Sequence, residues 1–297
     1  MEGTISQCNL KSTYHYQKFK EELESKYGME KIGEGGFGVI LANKHCSIKL
    51  VKDINRCSEL KKEMTIYNRL SSTEGLIGRI PQFNLFHELT TYCHFNMERI
   101  YSPLSLYDDG IKEHVGYVMA QQDAYLFKNL KPKYGLTWVN KNNVFPMERR
   151  PLVHFYINHY DHHLKEQQDR GELWGKNVLK NHFGDKVSEF SFAMGQLLSF
   201  VLLNGVLPFD VEIVIGTNAI DREITLYMLD FNECVLFNEW TPFTILAAAK
   251  SMYNKDGKFY FPNHSNEYYS QFVDGMLSRL PEEIVNPILE EYNRLYL

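Results

Sequence analysis

Glycines 33, 35 and 38 run directly into a lysine-bearing apolar segment, and no other feature narrows the fold of this chain as far. The segment reads Lys31-Ile32-Gly33-Glu34-Gly35-Gly36-Phe37-Gly38-Val39-Ile40 and continues to Ser47-Ile48-Lys49. Its G-x-G-x-x-G spacing suits a backbone that must bring amides close to a phosphate, because a side chain at those positions would hold the amides off. In a dinucleotide-binding fold such glycines follow a strand and open a helix. Here no helix follows. Val39 to Ala42 and Cys46 to Val51 are two β-rich runs separated by Asn43-Lys44-His45, which predicts a hairpin.

A glycine-rich hairpin followed by a lysine on the next strand resembles the protein kinase arrangement. The resemblance implies that Gly33, Gly35, Gly36 and Gly38 cover the phosphates of ATP, with Ile40 in the apolar position of the flap and Lys49 at the α and β phosphates. Tyr14 to Tyr27 carries Tyr16, Phe19 and Leu23 at spacings of three and four and predicts an amphipathic helix before the hairpin. Cys57 to Leu70 predicts a second helix with Leu60, Met64, Tyr67 and Leu70 on one face and Ser58 as N-cap. Glu63 lies in it, with Glu59 as a rival, and the resemblance implies that Glu63 pairs with Lys49. Tyr92 to Ile100 has strand composition. Its end, Met97-Glu98-Arg99, corresponds to the hinge that takes the adenine edge, and Pro103 closes the first lobe.

The 297 residues suffice for one large domain or two lobes, and 44% apolar content is that of an ordinary globule. A net charge of −5 argues against nucleic acid as the main partner. Cysteines 8, 46, 57, 93 and 234 are odd in number and form no C-x-x-C pair, so neither a disulfide framework nor a thiolate zinc site is expected. That pattern fits a reducing, intracellular setting, cytoplasmic or nuclear. No signal-like leader and no run of about 18 apolar residues is read, so no membrane span is expected.

Helical pieces are predicted around Glu113 to Leu130 and Leu152 to Leu164, with a polar loop from Lys131 to Arg150. His154, His159, Asp161, His162 and His163 offer metal-ligand chemistry, but their mixed spacing reads better as a solvated surface. Phe190 to Leu203 is apolar nearly all round and predicts a buried helix ended by Asn204-Gly205. Leu207 to Gly216, a polar turn and Ile224 to Glu233 follow, reading as two short strands that emerge from a loop containing an acid, the first begun by Glu212 and the second delivering Asp230 at its end.

Taken together these segments resemble the protein kinase-like superfamily over residues 30 to 235. Met97 to Ile100, Asp210 to Gly216, Leu229 to Asn232 and Phe259 to Pro262 are similar to an uncharacterised kinase-like family best represented in fungi. The implied fold is α+β and two-lobed: a small antiparallel sheet in residues 1–102 and a mainly helical lobe in 103–297 carrying an acidic hairpin. The resemblance implies Asp230 and Glu212 as ligands of Mg²⁺ or Mn²⁺. The base expected five residues before Glu212 would fall on Leu207, which cannot act. Asp210 is therefore either the base, a second metal ligand, or neither.

Departures accompany the matches. No His-Arg-Asp loop is present, Asn232 stands where a glycine follows Asp-Phe, and no Ala-Pro-Glu segment follows at the expected distance. Pro281 reads as a helix start. The expected activity is ATP-dependent phosphoryl transfer to a hydroxyl of a protein or small molecule. The alternatives are a pseudokinase acting as a binding or scaffolding module, and AMP transfer. The apolar residues of the tail, Glu267 to Leu297, are expected to pack on the chain's own second lobe.

Overall fold

The computed structural model describes residues 16–34, 38–43, 46–51, 53–71, 75–89, 91–101, 153–158, 173–217, 223–255 and 257–297. Its architecture is a mixture of helices and mainly antiparallel sheet, as the α+β expectation requires. Helix α1 (Tyr16–Tyr27) comes first and buries Phe19 and Leu23, four residues apart on one face. Strands β1 (Glu30–Glu34), β2 (Val39–Ala42) and β3 (Cys46–Val51) then form an antiparallel meander. The predicted hairpin is present: Asn43 closes it with a side-chain oxygen that accepts from the Cys46 amide at 3.1 Å. After α2 (Cys57–Arg69), strands β4 (Phe83–Glu88) and β5 (Cys93–Glu98) complete a five-stranded sheet of order β1-β2-β3-β5-β4.

The period of two divides this sheet into faces. Leu41, Ile48 and Leu50 point toward α1 and make a separate core with Phe19, Leu23, Met29 and Tyr92. Lys49 therefore points to the other face. Cross-strand register sets Gly33 opposite Ile40, Ile40 opposite Lys49, and Lys49 opposite Phe95, so these side chains form one row.

The second part begins, among the described residues, with β6 (Val153–Tyr156) and β7 (Leu173–Gly175), followed by α3 (Lys176–Phe183) and α4 (Lys186–Leu203). Over Val153–Tyr156, β6 overturns the helix expected from Leu152 to Leu164; residue 152 and residues 159–164, the helix expected around Glu113 to Leu130 and the loop from Lys131 to Arg150 lie outside the described residues. Val153, Phe155 and Tyr156 belong to the β-branched and aromatic types that favour a pleated surface, and β6 finds partners in both β7 and β9 (Glu212–Gly216). β9 in turn pairs antiparallel with β10 (Thr225–Leu229), giving the order β10-β9-β6-β7. A small ribbon joins β8 (Val206–Leu207) to β11 (Val235–Leu236).

α4 is the buried helix the sequence predicts, ending at Asn204 with Gly205 at φ 69°. It is also long and apolar enough to cross a membrane, contrary to the expectation that no such run exists, but 67% of it is buried in this fold. α5 (Pro242–Tyr253), α6 (Gly257–Tyr260), α7 (Tyr269–Leu277) and α8 (Glu282–Arg294) complete the chain. α4 and α7 meet through glycines. A Cβ on Gly195 would fall 2.1 Å from the Phe272 carbonyl oxygen, and one on Gly275 would fall 2.1 Å from that of Phe192. The tail packs on its own chain as expected: α8 begins after Pro281 and buries Val285, Ile288, Leu289 and Tyr292.

The boundary expected near residue 102 lies at the edge of the described residues. The largest core holds Val51, Leu60 and Phe95 from one side of it together with Met194, Leu197 and Phe231 from the other. Two backbone bridges add to this. Arg79 exchanges hydrogen bonds with Leu226 and Met228 of β10 at 2.8 and 3.0 Å, and Tyr101 does so with Thr217 at 2.8 and 3.0 Å. The cysteine expectation is corrected: Cys57 and Cys93 form a disulfide between the start of α2 and the start of β5. Their spacing of 36 residues gave no local signal, because the pairing depends on how α2 docks against the sheet.

Candidate functional site

Lys49 stands on the central strand of the sheet, and its ammonium meets two carboxylates. Nζ lies 3.0 and 2.8 Å from the two oxygens of Glu63 and 2.8 Å from Oδ1 of Asp230. Glu63 is 1% exposed, Lys49 8% and the Asp230 side chain 34%, so the cluster grades from a dry interior toward solvent. Three elements distant in sequence converge here: β3, α2 and the turn after β10.

Each element has a local reason for its aim. α2 starts at Cys57, not under a Ser58 cap as expected: Arg56 precedes it, and Asp53 caps the short 3₁₀ turn at 54–56 by accepting from Asn55. That offset turns Glu63 inward with Leu60, Ile66 and Tyr67 and leaves Met64 half-buried. Tyr67, one turn beyond Glu63, stacks edge-on against Phe231 at 5.1 Å and its hydroxyl accepts from the Asp230 amide at 3.4 Å. The aromatic pair thus fixes the Asp230 turn against α2. Asp230 itself has φ 62°, a left-handed conformation that turns its carboxylate out of the β10 line.

Burial, above all, pushes the Glu63 carboxyl up to about 7; the charge of Asp230 adds to this and Lys49 opposes it. Burial pulls the Lys49 ammonium down, but Glu63 and Asp230 outweigh it and its pKa lies above the ordinary 10.5. Lys49 is therefore a fixed cation, whereas Glu63 can exchange a proton near neutrality. The Tyr67 hydroxyl is held protonated by burial next to these carboxylates.

A second charged cluster lies at the same end of the β9–β10 hairpin. Lys255, just beyond α5, places Nζ 2.6 Å from Oδ2 of Asp210 and 2.7 Å from Oε1 of Glu233. Asp210 has φ 58° and sits in the turn between β8 and β9. Glu212 opens β9 opposite Leu229, so it and Asp230 share one end of the hairpin. Lys255 and Glu233 were not singled out from sequence, and no motif would have done so. The acid and the lysine are 45 residues apart and meet only through the fold.

The remaining expected residues are distributed as follows. Gly33, Ile40 and Lys49 share the row described above, while Gly35 and Gly36 lie outside the described residues. Gly38 is close-packed: a Cβ there would fall 2.6 Å from the Leu50 carbonyl oxygen. Met97 and Glu98 end β5; the Glu98 amide donates to the Gln82 carbonyl and its carboxylate accepts from the Gln82 amide at 3.1 Å. Arg99 is buried and lies 5.3 Å from the Tyr101 ring. His154, in β6, bonds the Tyr260 hydroxyl at 2.7 Å, which gives it a structural partner; His159, Asp161, His162 and His163 lie outside the described residues.

No group of three or more His, Cys, Asp or Glu side chains capable of holding a metal occurs among the described residues. Magnesium commonly takes only one or two carboxylates and completes its shell with phosphate and water, which Asp230 and Glu212 can satisfy. Asn232 adds a buried side-chain oxygen without a hydrogen-bond donor two residues beyond Asp230, a hard acceptor of the type such an ion uses.

No protein-family model and no curated protein matches the sequence, so the resemblance to the uncharacterised fungal family gains no support. Among solved structures, a crystal structure described as a kinase domain superposes with a TM-score of 0.38 at 10% identity, covering 90% of this chain and 75% of that one.

Proposed function

We propose that the chain is an atypical, two-lobed kinase-like phosphotransferase that binds ATP with Mg²⁺ or Mn²⁺ between the five-stranded sheet and the β9–β10 hairpin. The observation that carries the reading is the bidentate contact of Lys49 with buried Glu63, joined by Asp230. Burying such a set costs several kcal/mol per ion, and hydrophobic residues would serve a purely structural core at least as well. An ammonium held by a buried carboxylate, aimed along a row that includes Gly33 and Ile40, is suited to receive phosphate oxygens.

In this reading Lys49 takes the α and β phosphates, Glu63 fixes its position, and Met97 to Arg99 lie along the adenine edge. Asp230 and Glu212 would hold the divalent ion, which when bound neutralises charge on the phosphates. Asp210 accepts the proton of the acceptor hydroxyl, whose oxygen bonds to the γ-phosphorus while the bond to ADP breaks and ADP departs. Most of the acceleration comes from positioning and charge neutralisation. The short β8–β9 turn and the absent His-Arg-Asp loop favour a second reading, a pseudokinase that binds nucleotide without transfer.

The test is a thermal shift with ATP alone, metal alone, and both together, followed by intact-mass analysis of the protein and of candidate acceptors. Stabilisation by ATP with metal that Asp230→Ala and Lys49→Met abolish supports the cleft. A gain of one phosphate identifies phosphotransfer and a gain of one AMP identifies nucleotidyl transfer. Binding without either product supports the pseudokinase, and no nucleotide response in any condition refutes both readings.

A further inference from the structure

Among the described residues, the non-glycine residues with positive φ are Asp210 at 58°, Asp230 at 62° and Lys255 at 45°. All three are charged, and all three belong to the two ion clusters around the β9–β10 hairpin. A left-handed backbone is costly for a residue with a long side chain, and such strain persists where the surroundings over-determine it, most often at functional sites. Lys255 is the telling member. It follows Asn254, the C-cap of α5, and so occupies the position after a helix end that glycine serves best. Instead of glycine the chain has a lysine whose ammonium reaches 2.6 Å to Asp210 and 2.7 Å to Glu233.

An ordinary solvent-exposed ion pair gives little stability, and the Lys255 side chain is 47% exposed. Stability therefore does not account for a strained lysine at this place. Geometry does. Glu233, three residues beyond Asp230, anchors the ammonium from one side, and the ammonium in turn grips Oδ2 of Asp210.

We infer that Lys255 is a positioning residue for Asp210: held between Glu233 and the β8–β9 turn, it fixes the Asp210 carboxylate so that the other oxygen faces the acceptor hydroxyl. The inference rests on the phosphotransfer reading and deepens it by naming a side chain that orients Asp210. In kinase-like sites a longer loop can orient the base; here the turn is too short, and a lysine from a distant helix end does the same work.

The experiment compares Lys255→Gly, Lys255→Met and Lys255→Arg in the full chain, measuring melting temperature, KM for ATP and kcat with an acceptor found by the mass assay. Glycine relieves the backbone at a left-handed position, so Lys255→Gly should melt at or above the wild-type temperature while kcat falls about 10- to 100-fold, the scale of an impaired general base. KM for ATP should stay within about twofold, since Lys49 rather than Lys255 meets the nucleotide. Lys255→Met should lose kcat similarly, and Lys255→Arg should recover most of it. Wild-type kcat in Lys255→Gly, or a loss of kcat matched by a fall in melting temperature in all three variants, overturns the inference while leaving the phosphotransfer reading intact. A wild-type protein that binds nucleotide yet transfers nothing overturns both, and the mass assay reports that outcome separately.

Discussion

The Cys57–Cys93 disulfide should be worth several kcal/mol, and breaking it should loosen the helix that carries Glu63. The bridge closes a segment of 36 residues that includes all of α2 and β4. For a loop of that length the chain-entropy expression gives about 4 kcal/mol at room temperature, through fewer conformations in the unfolded chain. With an unfolding entropy of about 2 cal/mol/K per residue over the whole chain, 4 kcal/mol corresponds to roughly 6 °C in melting temperature. Both sulfurs belong to fully buried residues, so reductant added to folded protein is the wrong perturbation. Reductant during refolding would also break the disulfide that Cys46 makes, so the informative comparison is wild type against Cys57→Ala/Cys93→Ala, both folded under oxidising conditions. The folded state should change mainly where the tether acts: the α2 amides should exchange faster than those of β3, since β3 keeps both neighbouring strands. Alkylation under denaturing conditions, read by intact mass, reports whether the two thiols are free. Wild type and the double variant melting within a degree of each other would refute the loop argument. Free thiols at Cys57 and Cys93 in protein folded under oxidising conditions would refute the pairing itself.

Three further outcomes follow from individual residues. Burial, with the neighbouring His87, lowers the pKa of His94 to about 3, so the folded chain holds it neutral while the unfolded chain titrates near 6.5. Stability tied to His94 is full above 6.5 and is lost as pH falls toward 3, by about 1.4 kcal/mol per unit; urea midpoints between pH 4 and 7 should show this slope, and His94→Phe should flatten it. Glu63 works in the opposite sense: its raised pKa means its contribution is present below about 4.5 and lost as pH rises through about 7. The stability of Glu63→Gln relative to wild type should therefore increase across that window, and a constant difference would refute the shift. Gly275→Ala puts a methyl 2.1 Å from the Phe192 carbonyl oxygen and should cost about 1–3 kcal/mol in chemical denaturation, because α4 and α7 must part to admit it.

Legibility in the sequence followed the range of the interactions. The glycine hairpin, α1, the all-round apolar α4 and the acidic hairpin were readable because each is set by residues within a few positions of one another. Glu63 was readable by order alone, and its inward aim could not be, since the start of α2 depends on the 3₁₀ turn at 54–56. Local sequence does not mark β6, because its residues take strand form through pairing with β9, some sixty residues later in the chain. The Cys57–Cys93 bond and the contact of Lys255 with Asp210 were invisible for the same reason. They join segments whose approach is fixed only when the sheet, α2 and α5 have all docked.

Charge balance connects the two clusters to the proposed chemistry. Lys49 faces two carboxylates and so does Lys255, so among these six side chains, with Glu63 ionised, the carboxylates outnumber the ammonium groups by two. In the proposed reading a polyphosphate approaching Lys49 and Asp230 would be repelled by these carboxylates, the more so because the Glu63 end is dry and poorly screened. In the proposed reading a divalent ion held by Asp230 would supply positive charge there and leave Lys49 to meet the phosphates. Nucleotide and metal should therefore bind with positive coupling, each weak without the other. That coupling distinguishes a working cleft from a structural ion cluster: a cluster kept only for stability has no reason to respond to ATP and magnesium together more strongly than to the sum of the two.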